Sequence, residues 1–188
     1  LWSVFFLVPV GRGRVLTPTS PKRAEAVMEW LCAVNDEADF GIKTTEAPHY
    51  RRVALSGEGG GSPPATPDDG IGRRMGITAG NGFAFVSHRG EVYPSGFLPK
   101  SAGSVRSDSV VEIYRDSELF QSLRQPDALG GKCGACEYKY VCGGSRSRAF
   151  AYTGDPMAAD PLCDYVPDDY EGPLPSHPTT DHTSSTAD

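Results

Sequence analysis

No apolar run in this 188-residue chain is long enough to cross a bilayer, which takes about 20 residues in a helix. The strongest candidate, residues 1–10 (Leu-Trp-Ser-Val-Phe-Phe-Leu-Val-Pro-Val), also lacks the charged start of a signal peptide. The expectation is a soluble, cytoplasmic protein with no membrane contact. Positive charge is not in surplus either. The formal net charge is −6, and six acidic residues lie from Asp164 onward, where there is no Lys or Arg. The remaining 18 acidic residues match the 18 basic ones, so the folded part offers no basic face for nucleic acid. No internal repeat is apparent. Cysteine is scarce, with five in all. Without a signal peptide, and in an otherwise ordinary globular composition, that argues against a disulfide framework.

Four of the five cysteines are arranged in a telling way. Cys133, Cys136 and Cys142 form a C-x2-C-x5-C array within Cys-Gly-Ala-Cys-Glu-Tyr-Lys-Tyr-Val-Cys-Gly-Gly, and Cys163 follows after 20 more residues. A cubane iron–sulfur cluster needs four thiolates converging from different directions, and a close array with one distant partner supplies them. Tetrahedral zinc is the alternative, but zinc ribbons usually offer a second C-x2-C pair, and the second half is only Cys163. Spacing therefore favours a cluster and leaves a zinc-stabilised binding module open. Cys32, beside Leu31 near the end of a helix, is expected to be a small buried hydrophobe.

The chain is long enough for one domain, or one domain and part of another. It does not begin with Met, and its first ten residues read as a buried strand, which needs neighbours on both sides. The expectation is a piece of a longer protein whose N-terminal domain lies outside it. The loop Gly11-Arg12-Gly13-Arg14 comes next. A helix follows, capped by Ser20 with Pro21 in its first turn, and with Ala24, Val27, Met28 and Leu31 at helical spacing. Residues 40–45 read as a second strand that ends in Glu46-Ala47-Pro48-His49-Tyr50-Arg51-Arg52. Strand, helix, strand is the unit of a parallel α/β sheet, whose functional groups gather at strand ends. Residues 56–82, dense in Gly and Pro, read as a loop or linker.

The second region opens with a hairpin, Phe83 to Ser87 and Glu91 to Tyr93. A helix over 109–123 should bury Val110, Ile113, Tyr114, Phe120 and Leu123. A short helix should cover 145–152. Arg146 and Arg148 are expected on its solvated face; the alternative is that they offset the charge of a cluster or meet an acidic substrate. Gly134, Gly143 and Gly144 could bring backbone N–H groups close to sulfur. The tail rich in Pro, Ser, Thr and Asp from about residue 167 cannot bury a core and is expected to be disordered.

Hairpin, helix and C-x2-C-x5-C-Gly-Gly together resemble the SPASM or twitch extension of radical S-adenosylmethionine (SAM) enzymes. The closest echoes are Cys-Gly-Ala-Cys at 133–136, Cys-Gly-Gly-Ser-Arg-Ser-Arg-Ala at 142–149 and Thr-Gly-Asp-Pro-Met-Ala-Ala-Asp-Pro-Leu-Cys at 153–163. They are similar to the haem-pathway branch, which holds the haem d1 maturase and the alternative haem synthase. Phe5-Phe6-Leu7-Val8-Pro9-Val10-Gly11-Arg12-Gly13 resembles a late strand and loop of that family's partial barrel.

The resemblance implies an α/β fold. Residues 1–55 would form the C-terminal end of a partial (β/α) radical SAM barrel, 56–82 a linker, 83–166 a small α+β SPASM/twitch iron–sulfur domain, and 167–188 an acidic tail. It implies an oxidoreductase or maturase with an auxiliary [4Fe–4S] cluster and, in the full-length enzyme, SAM. Its substrate would be a tetrapyrrole or a peptide, and its external electron donor a ferredoxin or flavodoxin. The family's SAM-cleaving C-x3-C-x2-C motif does not occur in the 188 residues, so this piece alone is not expected to generate the radical. Many such domains hold two auxiliary clusters. Pro94-Ser95-Gly96 after the hairpin and Arg146 at the later position lack the extra cysteines, so one cluster is expected, held by Cys133, Cys136, Cys142 and Cys163. Gly11, Arg12 and Gly13 are candidates for contact with SAM, Arg12 through its carboxylate. Glu46, His49, Tyr50 and Arg51 are candidates for the substrate face, with no catalytic base assigned.

Overall fold

The computed structural model describes residues 1–57 and 78–177 of the chain. Most of the expected linker (residues 58–77) and the end of the tail (178–188) lie outside the described residues. The first unit is built from strand β1 (Trp2–Phe5), helix α1 (Pro21–Glu37), strand β2 (Ile42–Thr45) and helix α2 (His49–Ser56). β1 and β2 pair in parallel, Trp2 opposite Ile42 and Phe5 opposite Thr45. Parallel neighbours need a crossover, and α1 supplies it. Ser20 caps α1 by accepting from the Arg23 N–H at 3.3 Å, and Pro21 fills its first turn. Ala24, Met28 and Leu31 are fully buried against Phe6, Ile42 and Val53, while Val27 and Cys32 pack at the margin.

Two expectations change in this unit. The first ten residues do not form one buried strand: β1 covers four of them, and Trp2 and Phe5 are about half exposed. Among the described residues β1 pairs only with β2, so one edge and much of one face stay open. Of the strand end read at residues 46–52, residues 49–52 are helical instead and open α2. Glu46, at φ 57°, turns the chain after β2, and Pro48 lets α2 begin at once.

The second region holds a three-stranded antiparallel sheet, β3 (Phe85–Val86), β4 (Glu91–Tyr93) and β5 (Gly103–Ser104). The expected hairpin is present, with Phe85 opposite Tyr93 and Val86 opposite Val92. The helix expected over 109–123 is two helices, α3 (Val110–Asp116) and α4 (Glu118–Leu123). Ser117 adopts ψ 138° between them, and its hydroxyl caps α4 at the Phe120 N–H. Val110 is exposed, while Ile113 and Phe120 reach the core with Val92, and Tyr114 packs beside them.

Helix α5 (Gly131–Ala135) and helix α6 (Arg146–Thr153) follow, the latter capped by Ser145 and ended by Gly154 in the left-handed region. Residues 167–177 of the expected disordered tail have contacts of their own. The Tyr170 hydroxyl donates to the Pro173 carbonyl at 2.9 Å, and His177 stacks on Tyr152 with centroids 5.8 Å apart. Two rings give that stretch something to pack, which its overall composition conceals. Among the described residues no helix is long and apolar enough to cross a membrane.

Candidate metal centre

Cys133 lies inside α5 and Cys136 at its C-terminal cap. The Gly130 N–H at the start of this helix donates to the Met157 carbonyl at 2.7 Å, which draws the 154–163 loop alongside. Cys163 is thereby carried back to the array. Cys142 precedes Gly143 and Gly144, both at positive φ (64° and 67°), where glycine is strongly favoured. The four cysteines line one cavity together with His49, Arg52, Lys132 and Lys139. All five cysteines of the chain are free thiols, so no disulfide draws them together. The four thiols wall this cavity without closing on one point: among the described residues, no three His, Cys, Asp or Glu side chains are grouped as a single ion requires.

The sulfurs are already addressed by donors. The Gly144 N–H lies 3.4 Å from Cys142 Sγ and the Asp160 N–H 3.4 Å from Cys133 Sγ. Arg146 Nη2 lies 3.7 Å from Cys133 Sγ. A Cβ on Gly144 would meet Arg146 Nη2 at 2.7 Å, Asp160 Cβ at 2.8 Å and Cys133 Sγ at 3.3 Å, so only glycine fits. Gly134 serves packing rather than sulfur, since a Cβ there would sit 1.9 Å from the Leu129 carbonyl oxygen. Burial pushes the Cys163 thiol up to about 12, against the opposing charges of Arg52 and Lys132. It pushes Cys142 and Cys136 upward too. The metal-free pocket therefore favours neutral thiols, and binding a metal must expel their protons.

Behind the cavity lies a buried polar network. Arg148, 1% exposed, donates from Nε to the Leu7 carbonyl (3.2 Å), from Nη2 to the Glu46 carbonyl (2.6 Å) and from Nη1 to Asp160 Oδ2 (3.0 Å). One guanidinium thus ties the chain just beyond β1 and β2 to the loop that delivers Cys163. His49 is fully buried. Its Nε2 lies 3.1 Å from Asp160 Oδ2, in a direction poor for a hydrogen bond, and its Nδ1 has no partner among the described residues. Burial disfavours the Asp160 carboxylate, but the charges of Arg148 and His49 overcome it and hold the carboxyl well below the usual range. Arg146, 4% exposed, donates to the Pro156 (2.9 Å) and Ala158 (2.8 Å) carbonyls. The solvated face expected for both arginines does not exist. Their partners lie in segments remote in sequence, which helical periodicity does not report.

A second cavity, of about 250 Å³, opens at the C-terminal end of β2, lined by Lys43, Glu46, Arg51, Phe83 and Ser145 among others. Gly144 lines both cavities. Of the residues expected at a substrate face, Glu46 and Arg51 border this space. The Glu46 carboxylate accepts from the Ser145 and Ser147 hydroxyls, and Arg51 Nη1 donates to the Val141 carbonyl at 2.9 Å. His49 instead lines the cysteine cavity, and Tyr50 is buried in the apolar core against which Cys32 packs. Both leave the strand end because α2 turns them inward. Gly11, Arg12 and Gly13 form a 3-10 turn that lines neither cavity, with Arg12 exposed. Ser95 is buried in its own turn, where its hydroxyl accepts from the Phe97 N–H. Arg52, Lys132 and Asp160 were not singled out by sequence reasoning. For Lys132 and Asp160 the available signal was a charge beside or near a cysteine; for Arg52 there was none.

No family model matches the chain. It is 41% identical over 168 residues to AdoMet-dependent heme synthase of Methanosarcina barkeri, a match covering 88% of this chain and 48% of that protein. Pre-heme d1 synthase of Dinoroseobacter shibae is 39% identical over 92 residues, 47% of this chain and 23% of its own length. PqqA peptide cyclase of Rhodopseudomonas palustris is 35% identical over 94 residues, 47% of this chain and 25% of its own. The chain spans about half the length of the curated heme synthases it matches. Over the length it shares with them, the chain is similar to these radical SAM/SPASM enzymes.

Proposed function

We propose that the chain is the auxiliary-cluster part of a radical SAM oxidoreductase or maturase, in which Cys133, Cys136, Cys142 and Cys163 hold one [4Fe–4S] cluster. The observation that carries this reading is that the whole C-x2-C-x5-C…C set lines one cavity as free thiols. The residues present suit such a group. A wall of spaced thiols matches a cubane, in which each thiolate meets a different iron. Gly144 leaves room beside Cys133, and the Gly144 and Asp160 N–H groups already point at sulfur. When bound, such a cluster supplies reversible one-electron chemistry.

The protein's own part is to shield the site from water, with Cys133 and Cys142 buried and Cys136 and Cys163 half-buried, and to stabilise the added charge. Gly144 also lines a second cavity at the strand end. That second cavity, with Glu46 and Arg51 on its rim, is the candidate substrate space. In this reading residues 1–55 form the end of a partial barrel and 83–166 the auxiliary domain. SAM cleavage belongs to the whole enzyme, where the turn at Gly11, Arg12 and Gly13 is the candidate contact to SAM. A ferredoxin or flavodoxin would deliver electrons from outside.

A tetrapyrrole fits the substrate better than a peptide. The heme synthases match 88% of the chain at 40–41% identity, whereas the peptide cyclase matches 47% at 35%. The test is iron, sulfide and zinc analysis after anaerobic reconstitution. Roughly four iron and four sulfide per chain is the expected result; stoichiometric zinc without sulfide would sink the cluster.

A further inference from the structure

The cations around the four-cysteine cavity differ in what neutralises them. Arg52 Nη2 meets Glu25 at 2.5 Å and also lies against the Tyr165 ring. Lys139 Nζ lies 2.7 Å from Asp127 Oδ1, and His49 faces Asp160. Among the cations lining the cavity Lys132 is the exception, although Arg146, against Cys133 Sγ from outside the lining, also has only carbonyl partners besides that sulfur. Lys132 is 5% exposed, its Nζ donates to the Cys163 carbonyl at 2.6 Å, and it makes no ion pair among the described residues. An ammonium buried with only a carbonyl partner is costly, because a dipole offsets a fraction of its charge. The space it borders is the cysteine cavity, so its counter-ion should be whatever fills that cavity.

We propose that Lys132 is the counter-ion of the four-thiolate cluster and raises its reduction potential. This rests on the cluster reading above. The cluster with its thiolates is anionic and gains one further negative charge on reduction, so a fixed cation nearby favours the reduced form. Arg52 also faces the thiols, but its charge is shared with Glu25.

The test is an EPR-monitored redox titration of the reconstituted 188-residue chain as wild type, Lys132→Met, Lys132→Arg and Glu25→Gln, with iron and sulfide measured on each sample. Lys132→Met should keep its iron and shift the one-electron equilibrium about tenfold toward the oxidised form, a midpoint about 59 mV lower. Lys132→Arg should stay near wild type, and Glu25→Gln, which frees the charge of Arg52, should move the midpoint upward. A fully loaded Lys132→Met with an unchanged midpoint overturns the inference and leaves the cluster standing. Wild type without iron and sulfide overturns the cluster reading itself. If Lys132→Met loses iron while Lys132→Arg retains it, the positive charge is needed and the inference holds; loss in both makes the residue structural and overturns it.

Discussion

The first unit and the cysteine-bearing segment are equally well buried, by opposite means. In the first, Ala24, Met28 and Leu31 disappear into an apolar core with Phe6, Ile42 and Val53. In the second, the most buried side chains include Arg148, Asp160 and Ser147, against which α2 of the first unit turns His49. An apolar core is non-directional and tolerates exchange of one hydrophobe for another of similar size. A buried polar network is directional, and every partner must be present or a charge is stranded in a poor solvent. The first arrangement gives cohesion. The second gives position: Arg148 holds the ends of both strands and the loop of Cys163 to one point, and Leu162, the neighbour of Cys163, joins the apolar core.

The sharpest way to break this contrast is Arg148→Met. It leaves Asp160 buried without its main counter-charge, and the expected loss is about 3–5 kcal/mol, read by urea denaturation of the metal-free chain. Asp160 adds a pH signature. Its folded carboxyl titrates below the unfolded one, so its contribution is complete above about pH 4 and is lost as pH falls below that. Thermal melts from neutral to acid pH should show that Asp160→Asn lowers stability at neutral pH and flattens the acid limb. An unchanged acid limb would remove Asp160 from the account.

Leu31→Ala, in the apolar unit, should cost about 2–5 kcal/mol, and its penalty should not depend on pH over the same range. Leu31→Met should recover most of it, whereas Arg148→Lys should recover little, since one ammonium cannot reach two carbonyls and a carboxylate. Ser20→Ala is the smallest expected effect, about 1 kcal/mol from loss of the α1 cap.

The two regions also differed in how well they could be read beforehand. α1 was legible because its buried residues repeat at helical spacing behind a Ser-Pro start. The hairpin was legible because its two runs flank His-Arg-Gly. α2 was not, since the face it buries, His49, Tyr50, Arg52 and Val53, is half polar or charged, and the helix follows closely on a strand. Nor was the break at Ser117, because serine is unremarkable inside a helix and only its ψ reveals the cap. The cysteines announced themselves by spacing. Their surroundings did not: pattern reading sends arginine to the surface, and the groups that keep Arg148 inside lie as far as 141 residues away.

The proposed metal centre uses four specific thiols and not the fifth. Mössbauer spectra and iron analysis of the anaerobically reconstituted wild type, Cys163→Ala and Cys32→Ala test it most directly. Wild type and Cys32→Ala should give a cubane spectrum with roughly four iron per chain, and Cys163→Ala a lost or altered cluster. A cluster indifferent to Cys163, or one that depends on Cys32, would contradict that assignment.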